Sequence, residues 1–289
     1  MTERFLFINA DDAGFSIESL DPLTRLVNRG IVTGCSLVPN APDVDAFVRS
    51  LSKTSPDPDL GVHLNLTEGA PLLPAEKVRS LVGEDGRFLG FRRFFFKWIT
   101  RRLDPRDAAR EAEAQFGKMS DFAVPLIHAD SHHNVHLLPG IAETVSEIAR
   151  KNGITWFRSS SAPFHPLSWT DTKNLGYAAY NSLARFSANC YRRSGLRPGG
   201  AAFQLDFKKD TRPLLSLRRA LSSVRDGTAE LVCHPAFSGY DTKLPRRELQ
   251  RRKDELEFLL GADAGAILDG TGFTLSPRGK TTRRQAPGA

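Results

Sequence analysis

Arg4-Phe5-Leu6-Phe7-Ile8-Asn9-Ala10-Asp11-Asp12 reads as a buried strand, Arg4 to Ala10, that runs out into two adjacent carboxylates. The pattern recurs along the chain. Short apolar runs at Ile31 to Val38, Leu60 to Leu66, Val124 to Asp130, Ile154 to Arg158, Ala201 to Leu205, Ala229 to His234 and Ala264 to Leu268 predict further strands. Between them lie stretches of helical period: Ile17 to Arg29, Val44 to Leu51, 105 to 122, Pro139 to Asn152, Thr211 to Arg225 and Pro245 to Leu260. Gly30 stops the first helix and Gly153 closes the one before Ile154, the usual place for glycine past a helix end. Strand then helix, repeated about seven times, implies a parallel sheet with helices outside. No glycine-rich dinucleotide fingerprint follows the first strand, and no phosphate loop occurs.

Polar residues favour a barrel over an open sheet. The first strand ends in Asp11-Asp12, the third contains His63, the fourth runs into His128-Ala-Asp-Ser-His-His-Asn-Val-His136, and a late one ends in Cys233-His234-Pro235. Parallel strands all end on one face, where α/β enzymes gather their catalytic groups. Neighbours in a strand point to opposite sides, but a turn at Gly14 lets both Asp11 and Asp12 border one pocket, one binding a cation and the other handling a proton. The plainer account is an N-cap for the next helix, a role Ser16 also fits. His63 shares a strand face with Asn65 and Thr67, and a hydrogen-bonded core histidine is the plain account of it. Four of the seven histidines lie between His128 and His136. If that segment is helical, His132 and His136 share a face. Imidazole suits Zn²⁺ and similar ions, and two His with one Asp supply the three ligands of an open catalytic site. His234 at the same rim is suited to act as a general acid.

These stretches resemble the YdjC-like carbohydrate deacetylase family, also called the chitooligosaccharide deacetylase type. The likeness rests on Asn9-Ala-Asp-Asp-Ala-Gly14, Gly30-Ile-Val-Thr33, Gly61-Val-His-Leu64 with Gly69-Ala-Pro-Leu72, His128 to His136, and Cys233-His-Pro-Ala-Phe237, in family order from about residue 4 to 270. It implies an α/β fold, an irregular TIM-like (β/α) barrel with about seven parallel strands, and one divalent ion, Mg²⁺ or Zn²⁺. It also implies hydrolysis of the N-acetyl group of an amino sugar, in an oligosaccharide or lipid-linked, with release of acetate. Carried over by position, Asp12, His63 and His132 are the metal ligands. Asp11 is the general base, and His234 stabilises or protonates the leaving side. Ala13 stands where the family usually has an aromatic, and Asn134 where it often has a third consecutive His.

The 289 residues are 40% hydrophobic and 25% charged, an ordinary globular composition that excludes disorder, collagen and coiled coil. The expected organisation is a single catalytic barrel over residues 1–275 and a disordered basic tail over 276–289. Arg278, Lys280, Arg283 and Arg284 in that tail account for four of the seven net positive charges, leaving +3 for the remainder. A nearly neutral body gives no case for a nucleic-acid partner. No apolar run approaches a membrane span, and the amino terminus lacks the apolar core of a signal peptide. Cys35, Cys190 and Cys233 are odd in number and far apart, which argues against a disulfide framework and fits the cytoplasm. Phe91 to Leu103 places Phe91, Phe94, Phe95 and Trp98 on one helical face, with Arg92, Arg93, Lys97, Arg101 and Arg102 largely elsewhere. It reads as a helix packed on the barrel or on a second copy of the chain in a homodimer, or as a basic amphipathic segment touching a membrane or covering the sugar. Trp156 and Trp169 suit sugar stacking or the core, and Arg158 is placed to bond substrate or Asp11. Two rival functions remain at this level: a metal-dependent phosphoesterase, which needs more bridging carboxylates, and a non-catalytic sugar-binding barrel, which needs no proton-handling Asp11.

Overall fold

Among the described residues nine strands form one sheet: β1 (Phe5–Ala13), β2 (Gly34–Leu37), β3 (Asp59–Leu64), β4 (Leu126–Ser131), β5 (Trp156–Phe157), β6 (Arg197–Pro198), β7 (Ala201–Phe203), β8 (Thr228–Cys233) and β9 (Thr274–Leu275). The computed structural model describes residues 3–159, 172–204, 212–224, 227–235, 246–261 and 263–284. Trp169, the expected element ends Leu205, Thr211, Arg225 and Pro245, and residues 285–289 lie outside them. The strand order is β6-β5-β4-β3-β2-β1-β8-β7, with β9 beside β1, and every ladder is parallel. The result is a curled parallel half-barrel of the TIM-like kind, as expected.

Helices cover the outside: α1 (Leu20–Asn28), α2 (Val44–Leu51), α3 (Phe91–Ile99), α4 (Pro105–Ser120), α5 (Ile141–Lys151), α6 (Thr172–Arg193), α7 (Pro213–Ser223), α8 (Arg246–Gly261), and the shorter α9 (Ala264–Leu268) and α10 (Arg278–Arg284). Their apolar stripes dictate how they dock. In α2, Val44, Phe47, Val48 and Leu51 are all buried, the spacing of one helical face. Each such side chain contributes roughly 1.5–3 kcal/mol by leaving water. No described helix is long and apolar enough to cross a membrane.

The pleat divides the strands' side chains into two populations. Leu6, Ile8 and Ala10 of β1, Cys35 and Leu37 of β2, Val62 and Leu64 of β3, Ala129 of β4, and Ala229, Leu231 and Cys233 of β8 belong to the main apolar core with the helices. The alternate positions, Asn9, Ser36, His63, His128, Asp130 and Glu230, are buried and polar and bond to one another or to arginines inside the curl. The barrel interior is therefore a charged column.

Three sequence expectations change. Ala264–Leu268 is a helix, because the Asp263 carboxylate accepts from the Gly265 amide at 3.0 Å and starts a turn. A five-residue apolar run does not by itself distinguish strand from helix. The interval between Arg158 and Ala201, to which the sequence pattern assigns no element, contains the 22-residue α6. The tail expected to be disordered from Ser276 instead packs in its first part. The Ser276 amide donates to Leu6 O, the Gly279 amide to the Asp59 carboxylate, and Arg278 is 4% exposed.

Candidate metal centre and active site

β1 runs on past Ala10 as far as Ala13, and this extension builds the site. Its register with β2 shifts between Ala10 and Ala13, and Asp12 adopts φ 61°. That left-handed conformation costs a non-glycine residue about 1–2 kcal/mol. It also brings both carboxylates, which regular pleating would set on opposite sides, to the wall of one cavity of about 380 Å³. His63, His132 and His234 line the same cavity, so the five residues singled out from the sequence do converge.

Asp12, His63 and His132 form the tightest part. Asp12 Oδ1 lies 3.4 Å from His63 Nε2 and 2.8 Å from His132 Nδ1, and the three side chains are buried. Each remaining polar atom of the trio has its own partner. His63 Nδ1 is 2.6 Å from Asp130, His132 Nε2 is 2.9 Å from Glu68, and Asp12 Oδ2 accepts from Arg252 at 2.7 Å. A carboxylate on the far nitrogen fixes the imidazole tautomer and turns the near nitrogen's lone pair inward. Two imidazoles and one carboxylate oxygen so oriented fit a divalent cation. Two other groupings are close, Glu68-His132-His133 and Asp11-His63-Asp130. In the latter, Asp11 and Asp130 are both already engaged by Arg158.

Electrostatics follow the geometry. Burial works to raise Asp12, but His132, Arg252 and His63 outweigh it and hold the carboxyl well below the usual range. Burial would lower His63, yet Asp130, Asp11 and Asp12 push it up to about 10. His132 is raised too, by Asp12 and Glu68 against burial. The carboxylates around the two imidazoles favour positive charge at this point.

Asp11 sits beside this trio without joining it. Arg158 Nη1 donates to its Oδ2 at 2.6 Å, while Arg158 Nη2 and Asn9 Nδ2 both donate to its Oδ1 at 2.8 Å. Oδ1 is thus doubly engaged and Oδ2 once. The alternative placed on Arg158, a bond to Asp11, is the one observed. His234, just past β8, has Nδ1 3.2 Å from Gln204 Nε2, and its backbone amide donates to Glu255. Glu255 Oε2 also lies 3.8 Å from that Nδ1.

Sequence reasoning missed Glu68, Asp130's role, Arg252 and the loop that carries Glu68. Asn65 shapes that loop: its Oδ1 accepts the Thr67 and Glu68 amides, and its Nδ2 donates to Glu68 O. Gln115 and Glu111 of α4 pin the loop's two ends at Asn65 and at Leu72 and Leu73. Arg252 left a signal, since positions 252, 255, 256 and 259 are the buried stripe of α8 and a charge there has to meet a partner inside.

The histidine cluster separates into different roles. Residues 132–137 are not a regular helix, because His133 and Asn134 have φ 57° and 54°. His136 therefore does not share a face with His132. Its Nδ1 pairs with Ser131 Oγ at 2.6 Å, and burial lowers it to about 3. His128 is likewise buried and lowered to about 3, packed against Gly61, where any Cβ would stand 2.4 Å from its Nε2. His133 is exposed at the rim, 2.9 Å from Thr67 Oγ1, with the Phe91 ring 5.0 Å away. α3 packs on the barrel through Phe94, Phe95 and Trp98, leaving Phe96 and Ile99 59% and 58% exposed. Trp156 is a core aromatic, edge-on to Phe7.

The chain is 27% identical to a carbohydrate deacetylase of Thermoanaerobacter pseudethanolicus, over 89% of this chain and 94% of that one. It is 28% identical to one of Vibrio cholerae, over 91% and 90%, and 28% identical to a human carbohydrate deacetylase, over 80% and 75%. A crystal structure from Enterococcus faecalis, described as that of a cellobiose-phosphate cleavage protein, shares the fold with a TM-score of 0.76, at 24% identity over 97% of this chain and 99% of that one. The YdjC-like pattern matches residues 5–270, and the chain belongs to the YdjC-like protein family.

Proposed function

We propose that this chain is a carbohydrate N-deacetylase in which Asp12, His63 and His132 hold one divalent ion, Mg²⁺ or Zn²⁺. The observation that carries the reading is the buried trio with a second carboxylate, Asp11, beside it in a cavity of small-ligand size. The relatives named carbohydrate deacetylases support it. When bound, the ion supplies Lewis-acid polarisation of the acetyl carbonyl and a water of lowered pKa. Asp11 accepts a proton from the attacking water on Oδ2, its less engaged oxygen, while Arg158 keeps the carboxylate from swinging away. His234 donates from Nε2 to the departing nitrogen, which leaves poorly unless protonated. The products are acetate and an amino sugar.

Residues 1–275 act as one catalytic barrel in this reading. We place the reaction in the cytoplasm, in keeping with three buried free thiols. The test is an acetate-release screen over N-acetylated amino sugars, oligomeric and lipid-linked, with chelator and with Mg²⁺ or Zn²⁺ restored. Release abolished by chelator and restored by metal supports the proposal. Two ions per chain with phosphate release from sugar phosphates would favour the phosphoesterase alternative. Sugar binding without turnover would favour the binding module.

A further inference from the structure

Arg278 lies beyond the stretch that matches the family, yet its guanidinium is buried inside the barrel. Its Nη2 is 2.6 Å from Glu230 Oε1, its Nη1 donates to Asn9 Oδ1 at 3.3 Å, and it lies over the Phe7 ring at 4.8 Å. Gly34 makes room for this arm: a Cβ there would stand 2.6 Å from Asn9 Oδ1 and 3.3 Å from Arg278 Nη1. Three anchors hold the segment in place. Thr274 and Ser276 bond the backbone of Arg4 and Leu6, and the Gly279 amide bonds the Asp59 carboxylate.

Glu230 is the junction. The oxygen that Arg278 grips also accepts from Arg158 Nη2 at 2.7 Å and from Arg158 Nε at 3.1 Å. Arg158 in turn holds both oxygens of Asp11 and, at 2.7 Å, Asp130 Oδ2, whose other oxygen orients His63. Asn9, the second partner of Arg278, bonds Asp11 and also Ser36, which donates to Asp130 at 2.7 Å. Both branches from Arg278 therefore end on Asp11 and on the carboxylate behind His63. With Arg278 present, two guanidiniums serve three buried acids. Without it, Arg158 alone faces Asp11, Asp130 and Glu230.

We infer that Arg278 is a positioning residue for the deacetylase centre, acting through Glu230 and Arg158 on Asp11 and through Asp130 on His63. The inference rests on the proposed function for its kinetic readout and on geometry for its second readout, the affinity of the protein for Co²⁺. The variants are R278M, E230Q and the double variant, each checked for folding by circular dichroism. R278M should lower kcat for acetate release by about 10–100-fold at saturating metal with KM little changed, part of what a general base contributes. It should also weaken Co²⁺ binding, and outer-shell partners are typically worth 10–100-fold in metal affinity. In the E230Q background the same substitution should change either quantity clearly but by less than it does alone, because the Glu230 branch is already weakened and the Asn9 branch remains. If R278M fails to fold, E230Q against the double variant, which leaves no unpaired buried acid at position 230, carries the test. Unchanged kcat and Co²⁺ affinity in folded R278M, or a full effect that persists beside E230Q, overturns the inference. A wild-type protein that releases no acetate, with the Co²⁺ effect intact, overturns the deacetylase reading and leaves this one standing.

Discussion

The two halves of the curled sheet differ in how they are built and in what they bring to the centre. β1 to β4 are 9, 4, 6 and 6 residues long and supply Asp11, Asp12 and His63 directly, with His132 one residue past β4. β5 to β7 are only 2, 2 and 3 residues long. From that half come Arg158 just after β5, Gln204 just after β7, His234 just after β8, and Arg252 from α8. The long-strand half carries the acids and imidazoles of the candidate metal centre; the other half, whose six-residue β8 bears Glu230 and ends at His234, brings the arginines and hydrogen-bond donors around it. The difference teaches a rule of construction. The candidate ligands stand on or at the ends of the long strands: His63 within the β3–β4 ladder, Asp12 at the register shift of β1, and His132 one residue past β4. Arginines reach their targets on long arms and tolerate a shorter, less regular base.

This division can be broken by experiment. The largest effect should come from the ligands: Asp12→Ala, His63→Ala or His132→Ala should each strip metal and leave only background acetate release, read by metal analysis and assay together. Full metal occupancy in any one of them removes that residue from the ligand set. Next comes Asp11→Asn, which should keep its metal and lose about 10²–10⁴-fold in kcat, with the acidic limb of the pH–rate profile gone or displaced. Metal loss there, with metal retained in Asp12→Asn, would exchange the two assignments. His234→Gln, from the short-strand half, should cost about 10²-fold at most, with metal content unchanged. A larger loss than in Asp11→Asn would dissolve the contrast between the halves. The smallest effect belongs to Glu68→Gln, which still accepts a bond from His132 but without charge. Metal affinity should fall by about 10-fold and activity should return in excess metal.

Much of this centre is legible in the sequence because strand ends are short-range signals. Asp11-Asp12, His63 and His132 each follow or interrupt an apolar run, and parallel topology brings such points together. The missing parts are legible only in three dimensions. Glu68 is one more acid in a polar loop until Asn65 and Gln115 shape that loop. Asp130 looks equivalent to Asp12 until its partner is seen to be the far nitrogen of His63. His128 and His136 belong to the same dense cluster as His132, and what separates them is the partner each meets: Ser36 and Ser131 for the core imidazoles, Asp12 and Glu68 for the candidate ligand. Arg278 lies in a run of basic residues with no apolar period around it, and such a run ordinarily reads as a solvated tail. Its burial depends on Glu230, 48 residues earlier, and on Asn9 at the opposite end of the chain.

Arg278 also sets an order of events in time. At 5–20 residues per second, about 13–53 s of synthesis separate Asp11 from Arg278. During that interval β1 and its neighbours can pair, but the acids of the barrel interior have only part of their positive complement. A nascent or truncated chain lacking this arginine holds an interior biased toward negative charge, a state that favours local opening and is readily found by proteases. Arrival of Arg278 supplies the second guanidinium of the column, so the candidate centre is completed late in synthesis.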